Sequence, residues 1–157
     1  MTTSPIGEIL TPDDVLLDID AETRDALLRA TASLLEKRCH RARTEIFDAL
    51  TAREQLGSTA LGHGVALPHA RLTGLQRPVA AFLRTRAPIA FDAPDARPVN
   101  VFLALLVPKE ASEQHLAMMA CAARQFSDRD VRMRLKTLED RQQIADVFAN
   151  MPERDAS

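Results

Sequence analysis

The sequence predicts an α/β domain in which helices cover both faces of a central sheet. Three observations carry this. Residues 99–107 read VNVFLALLV, almost unbroken apolar, as a strand buried on both faces does. Before that run, residues 57–91 alternate short apolar pieces with glycine and proline, the punctuation of brief strands and turns. On either side lie segments whose apolar residues recur at helical spacing. The length of 157 residues suits one domain. No repeat or linker divides the chain, so 1–157 is expected to be a single domain. Its core should span about 9–148, with frayed ends at 1–5 and 151–157.

The elements follow in order. After Pro12, the run Val15, Leu16 and Leu17 predicts a short strand. A helix is expected over 21–37, with Asp20 as N-cap. It places Leu27, Leu28, Thr31, Leu34 and Leu35 on one face, with Lys37 and Arg38 in the last turn, where cations suit the helix dipole. A second helix is expected over 44–56, with Ile46, Phe47 and Leu50 inward and Gly57 as terminator. Residues 57–69 should form two brief strands around a turn. Two more strands are expected at 79–83 and 88–91, then a turn rich in Asp and Pro at 92–98. Ser112 should cap a helix to about 126, with Leu116, Met119, Ala120 and Ala123 inward. Asp128 should cap a short helix to about 138 holding Val131 and Leu135. Thr137 with Asp140 resembles a capping box for the last helix, which buries Ile144, Val147 and Phe148.

Composition narrows the function. Lys and Arg total 20 against 22 Asp and Glu, a net charge of −2, which argues against a general nucleic-acid binder. Two cysteines, Cys39 and Cys121, are too few for a disulfide framework and fit small buried side chains in a reducing compartment. The N-terminus lacks the basic and apolar regions of a signal peptide. No apolar run approaches the ~18 residues of a membrane span. A cytoplasmic protein without membrane insertion is therefore expected. There are 17 arginines and 3 lysines. Arginine can mark phosphate recognition, but a GC-rich genome gives the same skew. The basic run 124–136 is interleaved with Asp128 and Asp130 and reads as a solvated helix face.

The chemistry must come from few residues. The histidines are His40, His63, His69 and His115. No Cys-x-x-Cys or His-x-x-x-His pair occurs, so no metal site is expected. No Gly-x-Ser-x-Gly elbow, Walker loop or Gly-x-Gly-x-x-Gly occurs, so neither a serine nucleophile nor a nucleotide cofactor is expected. What remains is His69 in the run 62–71, GHGVALPHAR. Pro68 fixes its own φ and restrains Leu67, so His69 sits at a stiffened strand end. Gly62 and Gly64 permit close backbone approach and leave N–H groups able to face an anion. With an ordinary pKa near ~6.5 the imidazole is mostly neutral at cellular pH, and one ring nitrogen can act as nucleophile. Arg53 lies shortly before this loop, and His115 lies in a first helical turn, where free N–H groups favour anions. On local features alone, blander readings stay open: a histidine bonding a strand-end carbonyl, a surface arginine and a buried helix-start histidine.

Taken together, these residues resemble a known family. The runs 52–59 (AREQLGST) and 62–69 (GHGVALPH) resemble the phosphotransferase-system IIA domain of the fructose/mannitol type. Residues 88–93 (PIAFDA), Pro98, Val99 and 103–108 (LALLVP), with His115 following, look most like its nitrogen-regulatory IIA-Ntr branch. The resemblance covers about 9–148. It implies a mixed sheet of about five strands sandwiched between helices. It implies that His69 accepts a phosphoryl group at Nε2 from an HPr- or NPr-type phosphocarrier, with Nδ1–H held by a neighbouring acceptor. Arg53 and His115 would stabilise the phosphate. Further candidate contacts are the Ser58 and Thr59 hydroxyls and the Gly64 backbone. Position 63 is often Asn in relatives and is His in this chain. No cofactor is implied. The implied partners are the phosphocarrier donor and regulated proteins of sensor-kinase or potassium-transport type. Two alternatives accompany this reading: a sugar-specific IIA that passes phosphate to a separate IIB protein, and a binding module that is never phosphorylated.

Overall fold

The computed structural model describes residues 4–110 and 113–150. After a single 3-10 turn at Pro12–Asp14, the order is β1 (Val15–Ile19), α1 (Arg24–Cys39), α2 (Arg43–Leu56), β2 (Ala60–Gly62), β3 (Val65–Ala66) and β4 (His69–Leu72). It continues with β5 (Val79–Ile89), β6 (Val99–Pro108), α3 (Glu113–Ser127), α4 (Arg129–Thr137) and α5 (Arg141–Ala149). The strands form one mixed six-stranded sheet in the order β1-β5-β6-β3-β2, with β4 also paired to β6. β1 runs parallel to β5, and β3 and β4 run parallel to β6. β5–β6 and β2–β3 are antiparallel.

β6 is the reason the sheet is covered twice. Its residues alternate between two cores, as a pleated strand requires. Val101, Leu103 and Leu105 face α3, α4 and α5; Phe102, Ala104 and Leu106 face α1 and α2. All six are buried.

Several boundaries differ from the sequence-based expectation, each for a local reason. The first helix begins at Arg24, because Thr23 accepts the Ala26 N–H at 3.0 Å and caps it. Asp20 instead pairs with Arg86 at 3.1 Å. The strands expected at 79–83 and 88–91 are one strand, β5. Between Arg84 and Ile89 its register against β6 shifts, so the break lies in pairing and burial, not in the strand. The sixth strand arises because residues 65–72 form two pieces. Pro68 interrupts the ladder, having no N–H, and β4 resumes beside β6 with His69 opposite Leu105.

The inward face of α3 also differs. His115, Met118, Cys121, Ala122, Gln125 and Phe126 are buried, while Leu116 is 68% exposed and Ala120 and Ala123 face outward. Both faces carry apolar residues, so spacing alone could not orient the helix. The expected cap Ser112 lies outside the described residues. Asp140 caps α5 by accepting the Gln142 N–H, but Thr137 bonds the Met133 carbonyl, so no capping box forms. At the start of the chain, Ser4 is not frayed. Its N–H donates to Ala149 O at 3.0 Å and its hydroxyl to Phe148 O, satisfying carbonyls at the end of α5. Residues 1–3 and 151–157, expected as loose ends, lie outside the described residues.

Candidate functional site

His69 opens β4 and is half-buried. Its Nδ1 lies 2.8 Å from the Leu67 carbonyl oxygen. A carbonyl can only accept, so Nδ1 carries the hydrogen and Nε2 keeps the free lone pair. The proline between these two residues stiffens the turn that makes this bond, and its own carbonyl accepts the Leu105 N–H at 2.9 Å. Leu67 and Pro68 are both buried. The ring is thus fixed to the sheet and cannot swing freely.

The surroundings keep the ring neutral. Burial is the largest cause lowering the His69 pKa below its ordinary value. The nearby guanidiniums of Arg53 and Arg71 act in the same direction, and the Leu67 carbonyl opposes them. Arg53 is in the last turn of α2, with its Nη1 donating to Gly57 O at 2.8 Å, which aims the side chain across the helix end toward the loop. His115, in the first turn of α3, is buried, and neither ring nitrogen has a hydrogen-bond partner among the described residues. Burial lowers its pKa, and Arg71 lowers it further.

Arg71 links the two rings, acting on both, and the residue motifs did not reveal it. Alternation along β4 could have done so: Ala70 and Leu72 pack into the α1–α2 core, so His69 and Arg71 share the opposite face. Glu54 was missed as well. Its buried carboxylate accepts the Thr59 N–H at 3.1 Å and the Thr59 hydroxyl, locking the end of α2 to the start of β2.

The remaining expected contacts fall differently. The Ser58 hydroxyl donates to Phe91 O and accepts the Ala60 N–H. With Thr59 held by Glu54, both hydroxyls brace the loop. Gly64 is five residues before His69 along a nearly extended run, about 16 Å away at ~3.3 Å per residue, and so lies toward the other end of the sheet. His63 adopts a left-handed conformation (φ 57) between Gly62 and Gly64. Asn and His are among the residues most often found there, which accounts for His at this position. Its N–H donates to the Asp95 carboxylate at 2.9 Å. Cys121 is buried and Cys39 partly so. No helix among the described residues is long and apolar enough to cross a membrane.

A six-stranded mixed sheet with helices on both faces, carrying a tautomer-fixed histidine beside arginines, suits a protein that handles phosphoryl groups. The chain belongs to the family described as phosphoenolpyruvate-dependent sugar phosphotransferase system, EIIA 2, whose model matches residues 8–151. Within it, the likeness is to the nitrogen-regulatory IIA-Ntr branch. The nitrogen regulatory protein of Pseudomonas aeruginosa is 39% identical over 133 residues, covering 84% of this chain and 86% of that protein. That of Escherichia coli K12 is 28% identical over 150 residues, covering 95% and 92%. The crystal structure of IIA-Ntr from Neisseria meningitidis superposes with a TM-score of 0.89 at 39% identity, covering 92% of this chain and 99% of that one. IIA mannitol from Escherichia coli, at 18% identity and a TM-score of 0.74 over 89% of this chain and 99% of that one, shares the fold. The chain is a phosphotransferase-system IIA protein with a nitrogen-branch regulatory role.

Proposed function

We propose that His69 is the phosphoryl acceptor of a stoichiometric carrier, loaded by an HPr- or NPr-type phosphocarrier protein in the cytoplasm. The observation that carries this is the 2.8 Å contact between Nδ1 and the Leu67 carbonyl, which reserves Nε2 for attack. In the transfer, the Nε2 lone pair forms a bond to the phosphorus as the donor's own P–N bond breaks, returning that electron pair to the donor imidazole. Such a step needs positioning and charge stabilisation more than covalent help. Arg53 supplies positive charge from the end of α2. His115 supplies ring nitrogens without hydrogen-bond partners among the described residues. A few donors stabilise the phosphohistidine without trapping it, as a carrier requires. Phosphorylation then changes the charge of this surface and with it the choice of regulated partner, of sensor-kinase or potassium-transport type by kinship.

The test is incubation with phosphoenolpyruvate, enzyme I and an HPr-type protein, read by intact mass. Wild type should gain one acid-labile phosphoryl group and His69→Ala none. Uptake by the Ala variant would overturn the assignment.

A further inference from the structure

Toward the other end of the strands from His69, a cavity of about 400 Å³ opens between the β2–β3 turn, the β5–β6 connection and α4. Arg129, Arg132 and Lys136 are spaced i, i+3 and i+7 on α4 and share one helix face. Arg97 joins them from the β5–β6 connection. Among the described residues none of these four cations has a carboxylate within ion-pair distance. Asp128 accepts the Val131 N–H as the helix cap. Asp95 accepts the backbone N–H groups of His63 and Arg97, and its charge also acts on Arg97 and Lys136 without an ion-pair contact.

The cluster is held in place. The Lys136 ammonium donates to the His63 carbonyl at 2.7 Å, and the Arg132 guanidinium to Phe126 O at 2.9 Å. A Cβ at position 64 would lie 3.0 Å from Lys136 Nζ, and the backbone there is left-handed at φ +81. Glycine at 64 therefore keeps the room in which the ammonium sits. Burial and the like charge of Arg132 push the Lys136 pKa down, and the charge of Asp95 opposes them without cancelling the shift. Like charges gathered in a partly desolvated hollow repel, and an anion relieves that cost. A lone phosphate would fill only a small part of the hollow. Met133, 52% exposed, and Pro98 add an apolar wall beside the charges.

We propose that this cavity binds a small organic diphosphate, of which a nucleoside diphosphate is the representative. The phosphates would take the guanidiniums of Arg97 and Arg129, which present paired donors to phosphate oxygens. The organic part would lie against Met133 and Pro98. The site is separate from His69, so occupancy and phosphoryl acceptance are compatible.

The test is calorimetric titration of the full chain with ADP, pyrophosphate and inorganic phosphate at low and moderate salt. ADP and pyrophosphate should bind with dissociation constants below about 1 mM, weakening as salt screens the charges. Inorganic phosphate should bind at least about tenfold more weakly. The double variant Arg97→Gln/Arg129→Gln removes two exposed side chains with no hydrogen-bond or ion-pair contact among the described residues and should weaken ADP binding at least about tenfold. The control Arg77→Gln/Lys109→Gln removes the same charge toward the other end of the sheet and should leave binding unchanged. Absence of ADP binding up to about 5 mM overturns the proposal. So does an equal loss in both double variants, an ADP affinity untouched by the first pair, or an inorganic phosphate affinity matching that of ADP.

Discussion

Phosphoryl acceptance at His69, as proposed, needs a neutral imidazole, and burial is the first cause that lowers the pKa of this ring, ahead of any neighbouring charge. The same burial depresses the pKa of His115. The sign of the pH dependence follows. Both folded-state pKa values lie below the unfolded value of ~6.5, so between them the unfolded chain holds more protons than the native one, and stability falls as pH drops through that window. Urea unfolding at pH 7.5 and pH 5.5 should show this loss, and His115→Gln should reduce it; an equal slope in the variant would remove His115 as a cause. The effect is distinct from that of Asp18, whose carboxyl is held low first by its hydrogen bond from Arg84 and contributes stability lost only below the usual carboxylate range. Arg53→Ala should act twice. Removing its charge lets the His69 pKa rise, visible in an NMR titration, and the rate of phosphoryl acceptance should drop about 10–100-fold, equivalent to ~1.4–2.7 kcal/mol. The positions of His69 and Arg53 were legible in the sequence because proline, glycine and a helix end mark them locally, while their roles came only from the family resemblance. Arg71 was not, because its place beside His69 exists only once residues 69–72 are known to be a strand.

Elements are joined at this site by polar contacts that sequence patterns carry poorly. The Glu54 carboxylate is buried and takes both the amide and the hydroxyl of Thr59, so it fixes where α2 ends and β2 begins. Glu54→Ala would leave the Thr59 N–H and hydroxyl buried without that acceptor, a loss of about 1–3 kcal/mol. It should also slow loading of His69, since Arg53 hangs from the same helix turn; unchanged stability in urea would show that water replaces the carboxylate. A buried glutamate near a helix C-terminus looks in sequence like any solvated one, which is why it passed unnoticed. The same limit applies to α3. Leu116, Met119, Ala120 and Ala123 form a helical stripe, yet only Met119 packs, partly buried, against the core, which takes the neighbouring face with His115 and Gln125. Gln125 goes inward because its amide donates to the carbonyls of Phe148 and Asn150 at the end of α5. Those acceptors lie over 20 residues away, beyond the reach of periodicity. By contrast Asp128 before Val131 is a local signal, and α4 begins where it was expected.

At the scale of the whole molecule, β6 makes the two helical layers one cooperative unit. It was the most legible element, since a run apolar at every position but Asn100 has no solvent face, and its neighbours on either side are the two cores. Leu103 is fully buried on the α3–α5 side, and Leu28 is almost fully buried on the α1–α2 side. Truncating either to Ala removes apolar contact and leaves a cavity, at a cost of about 2–5 kcal/mol. For a chain of this length each kcal/mol lowers Tm by about 2–4 °C, so either variant should melt roughly 6–12 °C below wild type for a ~3 kcal/mol loss. The layers share a strand whose alternate side chains belong to each, so neither can melt while the other stays packed. Each variant should therefore show a single transition. Amide protection measured by hydrogen exchange near the midpoint should collapse together in α1–α2 and in α3–α5. A Leu103→Ala protein in which α1–α2 keeps its protection after α3–α5 has lost it would show that β6 separates two independent folding units.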